Sequence, residues 1–536
     1  MSRERGIFTA DNVSPTAGGI GVKDRQDSIP WAALMILMLG AFMAVLDSSI
    51  VNVAIPKLMA LFGVGPDQAE WVMTGYLLTS GVVVPVTGYL GNRFGYKRLY
   101  IVALSIFTLG SALCSLSWNN DILIGARIIQ AIGGGAIMPV TMAMNYSIVP
   151  RNRIGMALGI WSIAITMGPA IGPTLGGYLI DNFNWQMIFT INIPIGIIAV
   201  ILAGLFLPET PGRSGLKFDM PGFILSGVGC FAILLALSEG QTYGWTSLFI
   251  VATMVVGLFA MVLFVLWELY TPHPLLDVRL FRNFVFSISL VTVSVIFIGL
   301  FAIVFLVPIY AQDLLGYTPM QTGLLLMPQG LAMGVMMPIN GRIFDRFGAL
   351  PMAAIGAVVL TFVTFSLHKL DLSSSYSHIQ LLLIMRGIGV SLCMMPVTAS
   401  GMNSVPRRLA SEASAWTNLI RNIAASMGIA FLTYVMQLRE VYHAEWLSET
   451  VTLSSPLVPG LLQRMQVAMH LPNKTAVLTV WSLFVQQHAM MAAIDDSFLV
   501  ATVIVVIAIP LVLLLGKKRV EAARLAETRR LEGTSS

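Results

Sequence analysis

The amino-acid sequence predicts an all-α polytopic membrane protein of fourteen transmembrane helices, arranged as two six-helix bundles with two helices inserted between them. Three observations lead there. Apolar runs of about 18 residues or more, long enough to cross a bilayer as helices, recur along the chain. Of 536 residues, 56% are hydrophobic and only 11% charged, with a mean hydropathy of +0.82; a soluble domain carries about 25% charged residues. Finally, Gly63, Pro66, Gln68, Gly88, Arg93, Phe94 and Gly95 reappear 253 residues later as Gly316, Pro319, Gln321, Gly341, Arg346, Phe347 and Gly348, and Arg127 is echoed by Arg386 after a small insertion.

Taken in order, the spans are expected near 31–54, 70–90, 98–117, 121–147, 154–181, 185–207, 219–239, 246–268, 284–310, 320–341, 350–368, 378–400, 409–437 and 496–516. The repeat sets the first six (residues 31–207) against the last six (284–516), leaving a linker pair within 208–283. Such repeats are the building units of transporters, with the substrate site between halves near the midplane. The even-numbered loops hold Arg93, Lys97, Arg98, Arg151, Arg153, Arg213, Lys217, Arg279, Arg282, Arg342, Arg346, Arg407 and Arg408, whereas the short odd-numbered loops hold only Lys57 and Lys369. That bias places both termini in the cytoplasm: a tail over 1–30 and a basic tail over 517–536, the latter an anchor at the membrane surface. No cleavable signal peptide is expected. The long outer loop, 438–495, has mixed helical patterning around 439–449 and 461–470 and reads as a small cap or a tether.

The fifth span is the densest in helix breakers. Gly168, Gly172 and Gly176 recur every four residues and form a bare stripe that lets another helix approach closely. Pro169 and Pro173 each remove an N–H and favour a kink.

Charge within a bilayer costs about 2.5–3.5 kcal/mol per residue on insertion scales, so each instance needs a reason. Asp47 in the first span reads as a proton carrier whose protonation follows a moving neighbour, or more plainly as a static carboxylate paired with an arginine. Arg127 in the fourth span is the candidate modulator. Asn52, Asn418 and Arg421 are candidate cavity residues, and Arg386 reads as structural. Two loop motifs, Gly88-Tyr-Leu-Gly-Asn92-Arg93-Phe-Gly95 and its echo carrying Asp345 and Arg346, are candidate cytoplasmic gates.

Other classes of function find little support. The basic residues are dispersed, against nucleic-acid binding. No ligand-spaced His or Cys set suggests a metal, since the histidines fall in loops or near span ends and Cys114, Cys230 and Cys393 fall in apolar runs. No phosphate-binding glycine loop suggests ATP. Nor is there a catalytic constellation. No enzyme activity and no cofactor are expected.

LDSSIVNVAIP (46–56), LIGARIIQAIGGG (123–135), the Gly159 to Gly177 stretch ending GPAIGPTLGG, QDLLGYTPMQTGLLLMP (312–328) and ASAWTNLIRNIAASMGIA together resemble fourteen-helix drug:proton antiporters of the major facilitator superfamily, of the EmrB and QacA type. The resemblance covers nearly the whole chain and implies the major facilitator fold. It carries the family's embedded acid onto Asp47, its proton-transfer arginine onto Arg127, and its antiporter motif onto Gly159, Gly168, Gly172, Pro173, Gly176 and Gly177. Asn92 stands where the family's loop motif usually has Asp, which puts the loop latch between bundles in question, and Ala131 replaces the usual Gly after Gln130, a mild change. The function implied is proton-coupled efflux of amphipathic drugs across a bacterial plasma membrane by alternating access. A membrane-fusion partner, as some relatives use, would dock at 438–495. Two other readings stay open: export of one endogenous solute (a lipid, peptide or secondary metabolite), or a sensor or assembly partner that does not transport.

Overall fold

A computed structural model describes residues 30–150, 153–212, 215–406, 409–450, 474–516 and 522. The expected tails, Arg151, Arg213, Arg407, Arg408 and the 461–470 pattern fall outside the described residues. The chain forms α1 (Trp31–Phe62), α2 (Pro66–Phe94), α3 (Tyr96–Ser115), α4 (Asn120–Ile148), α5 (Ile154–Asn182) and α6 (Met187–Phe206, two stretches joined at Ile191). The pair α7 (Met220–Glu239) and α8 (Leu248–Tyr270) follows. Then come α9 (Phe284–Ile309, continued by a π turn over Tyr310–Leu314), α10 (Pro319–Phe347), α11 (Ala349–Leu367), α12 (Tyr376–Asn403), α13 (Ala410–Thr450) and α14 (Lys474–Val506, extended by Ala508–Leu513). Thirteen of these are long and apolar enough to cross a membrane singly, and α5 makes fourteen as a span bent by 42° between Ile154–Pro169 and Ile171–Ile180. The bend falls where Pro169 cannot donate to the preceding turn, as its missing N–H requires.

The repeat has a backbone cause. Gly63 (φ 65°) and Gly316 (φ 68°) close α1 and α9, and Gly95 (φ 88°) and Gly348 (φ 83°) close α2 and α10. Each sits in the left-handed region that glycine reaches without a Cβ penalty. Side-chain caps then start several helices: Asn119 accepts the Ile122 N–H at 2.8 Å, and Thr318 and Gln321 form a reciprocal capping box on α10.

The outer loop expectation needs correcting. Both flanking helices run on, α13 to Thr450 and α14 from Lys474, so most of 438–495 continues the spans as helix. The stretch 474–495 has no Pro or Gly to stop a helix, and hydropathy alone could not see its start. Asp496 of α14 joins the extensions, accepting from Arg439 Nε at 2.5 Å and pairing with His443 Nε2 at 2.8 Å on α13. His443 and His488 thus lie within helices rather than in loops.

α5 packs along α10 and along α1, and α13 packs on α2 and α4. The apolar cluster on the side of the basic loops draws from α1, α2, α4, α5, α7, α8, α9, α12 and α13, including Met142, Trp161, Leu290, Met402 and Trp416. The two clusters toward the other side each stay within one set of helices, α1–α6 or α9–α14. Among the described residues the halves are therefore sealed together by an apolar plug at the basic-loop side. The α7–α8 pair lies against α2 and α13; Thr74 and Ser238 hydroxyls meet at 3.0 Å, and Trp245 stands edge-on to Tyr434 of α13.

Candidate functional site

Asp47 is fully buried in α1. Its carboxylate accepts from Arg127 Nη1 at 2.5 Å, from Gln130 Nε2 at 2.8 Å and from Asn192 Nδ2 at 2.7 Å. Arg127 and Gln130 stand three residues apart on one face of α4, so both reach the same point. The network continues outward. Arg127 Nη1 also donates to Gln130 Oε1 at 2.7 Å, Arg127 Nε donates to the Val72 carbonyl at 3.3 Å, and Gln130 Nε2 donates to Ser111 Oγ at 2.6 Å. The guanidinium lies over the Tyr76 ring, 4.2 Å from its centroid, with Phe189 at 5.7 Å. Five helices, α1, α2, α3, α4 and α6, thus converge on one ion pair. An ionised carboxylate survives such burial only when paired and hydrogen-bonded, and here it is both.

The glycine stripe of α5 borders this centre. A Cβ at Gly168 would lie 2.6 Å from Val45 Cγ1, one at Gly172 2.6 Å from Ser49 Cβ, and one at Gly176 3.2 Å from Ile50 Cγ2. The helix that the stripe admits is α1, on the residues flanking Asp47. Pro173 faces α10, near Gly323. A Cβ at Gly159 would overlap the Met337 carbonyl of α10, so the same helix also touches the other half. Gly177 has open space beside it and contributes no such contact.

The loop motifs lie at the plug. Asp345 accepts the Gly155 and Met156 backbone N–H groups at 2.9 and 3.1 Å, capping the start of α5 from the other half, where a carboxylate also meets the positive end of the helix dipole. The repeat-related contact is weaker. Asn92 accepts from the Tyr96 hydroxyl at 3.0 Å within its own loop, and the tie to α13 is made instead by Ser411 Oγ donating to the Gly88 carbonyl at 3.1 Å. Arg93 is half-buried, its Nη1 lacking a hydrogen-bond partner, and Arg346 is exposed beside Phe347.

Three expected cavity residues separate. Asn418 is buried in the plug, donating to the Ser414 carbonyl at 2.9 Å and reaching Met142 Sδ of α4 at 3.6 Å. Arg421, one turn further along α13, is buried over the Phe297 ring at 4.5 Å. Asn52 is exposed on α1 and lies outside the Asp47 network; the asparagine that joins it is Asn192. Sequence reading gave no role to Gln130, Asn192, Ser111 or Tyr76. The available signal was an amide or hydroxyl inside an apolar span, with nothing to say which faced Asp47. Among the described residues no group of three or more His, Cys, Asp or Glu side chains is placed to hold a metal.

A family model described as Major Facilitator Superfamily matches residues 37–429. The uncharacterized MFS-type transporter YhcA of Bacillus subtilis is 35% identical over 510 residues, covering 94% of this chain and 96% of its own. The multidrug resistance protein Stp of Mycobacterium tuberculosis is 32% identical over 421 residues (77% and 76%), and the multidrug export protein EmrB of Haemophilus influenzae 31% over 433 (80% and 85%). Among solved structures, the proton:xylose symporter XylE bound to 6-bromo-6-deoxy-D-glucose aligns with a TM-score of 0.55 at 13% identity, covering 88% of this chain and 94% of that one. That likeness concerns the fold alone.

Proposed function

The chain belongs to the major facilitator superfamily, and from that premise we propose that it is a proton-coupled exporter of amphipathic compounds in a bacterial plasma membrane, with both termini cytoplasmic. The observation that carries the reading is the Asp47–Arg127 pair, wholly buried, with its acid on α1 beside α5, a helix that contacts both halves. The names of the multidrug relatives agree with it.

With basic loops cytoplasmic, the plug closes the inner side. A proton reaching Asp47 from outside neutralises the carboxylate. The attraction to Arg127 collapses, and the guanidinium must turn to Gln130, the Val72 carbonyl or a new acceptor. The α1–α5 contact at Gly168, Gly172 and Gly176 transmits that change to the α5–α10 seam, and the plug opens. Cargo binding from the cytoplasm then favours release of the proton inward. Each proton moved inward draws about 2.3 kcal/mol per 100 mV from the membrane potential. If an accessory partner exists, the paired extensions of α13 and α14 are where it would dock.

Everted membrane vesicles with an acidified lumen and a pH-sensitive dye test the proposal. Addition of lipophilic cations or neutral drugs should release protons from vesicles carrying the wild type and not from those carrying Asp47→Asn. Equal release from both, or none from either at matched expression, refutes it.

A further inference from the structure

The second half contains a counterpart of the Asp47–Arg127 pair in which the acid is missing. Repeat spacing fixes the correspondence. Pro56 and Pro308 are 252 residues apart while Gly63 and Gly316 are 253 apart; the extra residue falls where α9 ends in its π turn, the usual way a helix absorbs one insertion. Before that turn the offset is 252, and Asp47 maps onto Gly299. Arg127 maps onto Arg386, and by the same later offset Gln130 maps onto Gly389.

The structure agrees with this map. Arg386 Nη2 donates to the carbonyls of Gly299 and Leu300, at 3.1 Å each, where Arg127 meets the carboxylate of Asp47. Arg386 is 1% exposed, and its Nε and Nη1 groups have no hydrogen-bond partner. Among the described residues no carboxylate lies within ion-pair distance of it. A buried guanidinium cannot shed its proton, and two backbone carbonyls do not neutralise it. The Asp47 carboxylate, which supplies the counter-charge in the first half, and the neutral Gln130 amide beside it are here replaced by glycines.

We propose that Arg386 holds a resident inorganic monoanion, chloride at physiological salt, as the counter-ion that the Asp47 carboxylate provides for Arg127 in the first half. The ion accepts from Arg386 Nε and Nη1 and neutralises that guanidinium. It must be small, because Arg386 is almost wholly enclosed and the missing group is a single side chain. The buried arginine of one half thereby faces a titratable, covalently attached anion and that of the other a non-titrating one. This inference stands independently of which compound is exported.

The test uses full-length protein purified in detergent with gluconate as the only anion. Radiolabelled chloride in equilibrium dialysis should show one saturable site, displaced by bromide and not by an aromatic carboxylate. Chloride should also raise the thermal midpoint. Arg386→Gln should weaken chloride binding roughly 10-fold or more, the loss expected for charged hydrogen bonds. Should that variant fail to fold, Gly299→Asp combined with Val505→Ala serves instead; the second change is needed because a Cβ at Gly299 would lie 2.5 Å from Val505 Cγ2. Carrying its own carboxylate, it should fold in gluconate with the midpoint that wild type reaches in chloride, and should bind no radiolabel. Absence of saturable chloride binding to wild type, displacement by the carboxylate, or undiminished binding to either variant would overturn the proposal.

Discussion

The Asp345 carboxylate of α10 accepts the Gly155 backbone N–H of α5 at 2.9 Å, tying the two halves at the plug with a charged bond to a helix start. Its repeat-related partner position, Asn92, makes no such bond and turns to Tyr96 instead. The charged bond of the latch is one-sided and rests on the second half's acid, while the Gly88 side is tied by the Ser411 hydroxyl.

Removing that acid should loosen the plug. A charge-assisted hydrogen bond contributes about 1.5–3 kcal/mol, so Asp345→Ala should raise the population open at the plug roughly 10- to 100-fold. Spin labels at Phe94 and Phe347, exposed ends of α2 and α10, should report a longer distance. An unchanged distribution would mean that the apolar plug alone sets the equilibrium.

The Asp47–Arg127 pair should behave asymmetrically under mutation. Arg127→Gln strands a buried carboxylate and should destabilise by about 3–5 kcal/mol, while adding Asp47→Asn should recover most of that. Thermal unfolding of the single and double variants measures the difference. Additive losses would show that the two side chains do not depend on one another.

Asn192 supplies the third donor to Asp47. Asn192→Leu should cost about 1–3 kcal/mol of stability and reduce the amplitude of drug-driven proton release without abolishing it, since Arg127 and Gln130 remain. Wild-type amplitude and thermal midpoint would place Asn192 outside the working network.

The glycines of α5 should not be equivalent. Gly172→Leu drives a side chain into Ser49 of α1 and should cost about 1–3 kcal/mol through overpacking, with transport lost. Gly177→Ala enters open space and should be silent. Measuring vesicle transport and thermal midpoints of both separates contact from mere helix composition, and equal effects would contradict the packing described.

The sequence by itself determined the apolar spans, the bend site of α5, the paired glycine caps and the presence of an acid inside the first span, because these are local properties of hydropathy, backbone stereochemistry and insertion cost. Span ends were less legible where polar residues continue a helix without a breaker, as at Lys474–Asp495 in α14.

Only the tertiary structure decided which polar side chains meet. Asn192 lies 145 residues from Asp47, and Asn52, five residues away on the same helix, points elsewhere. The glycine stripe announced a close helix but not that the helix was α1, beside Asp47. The loop repeat announced two similar turns but not that one grips α5 through Asp345 while the other leaves Asn92 within its own loop. The reason is physical: a helix sequence fixes which residues share a face, whereas the partner of that face is chosen by the packing of all the helices together.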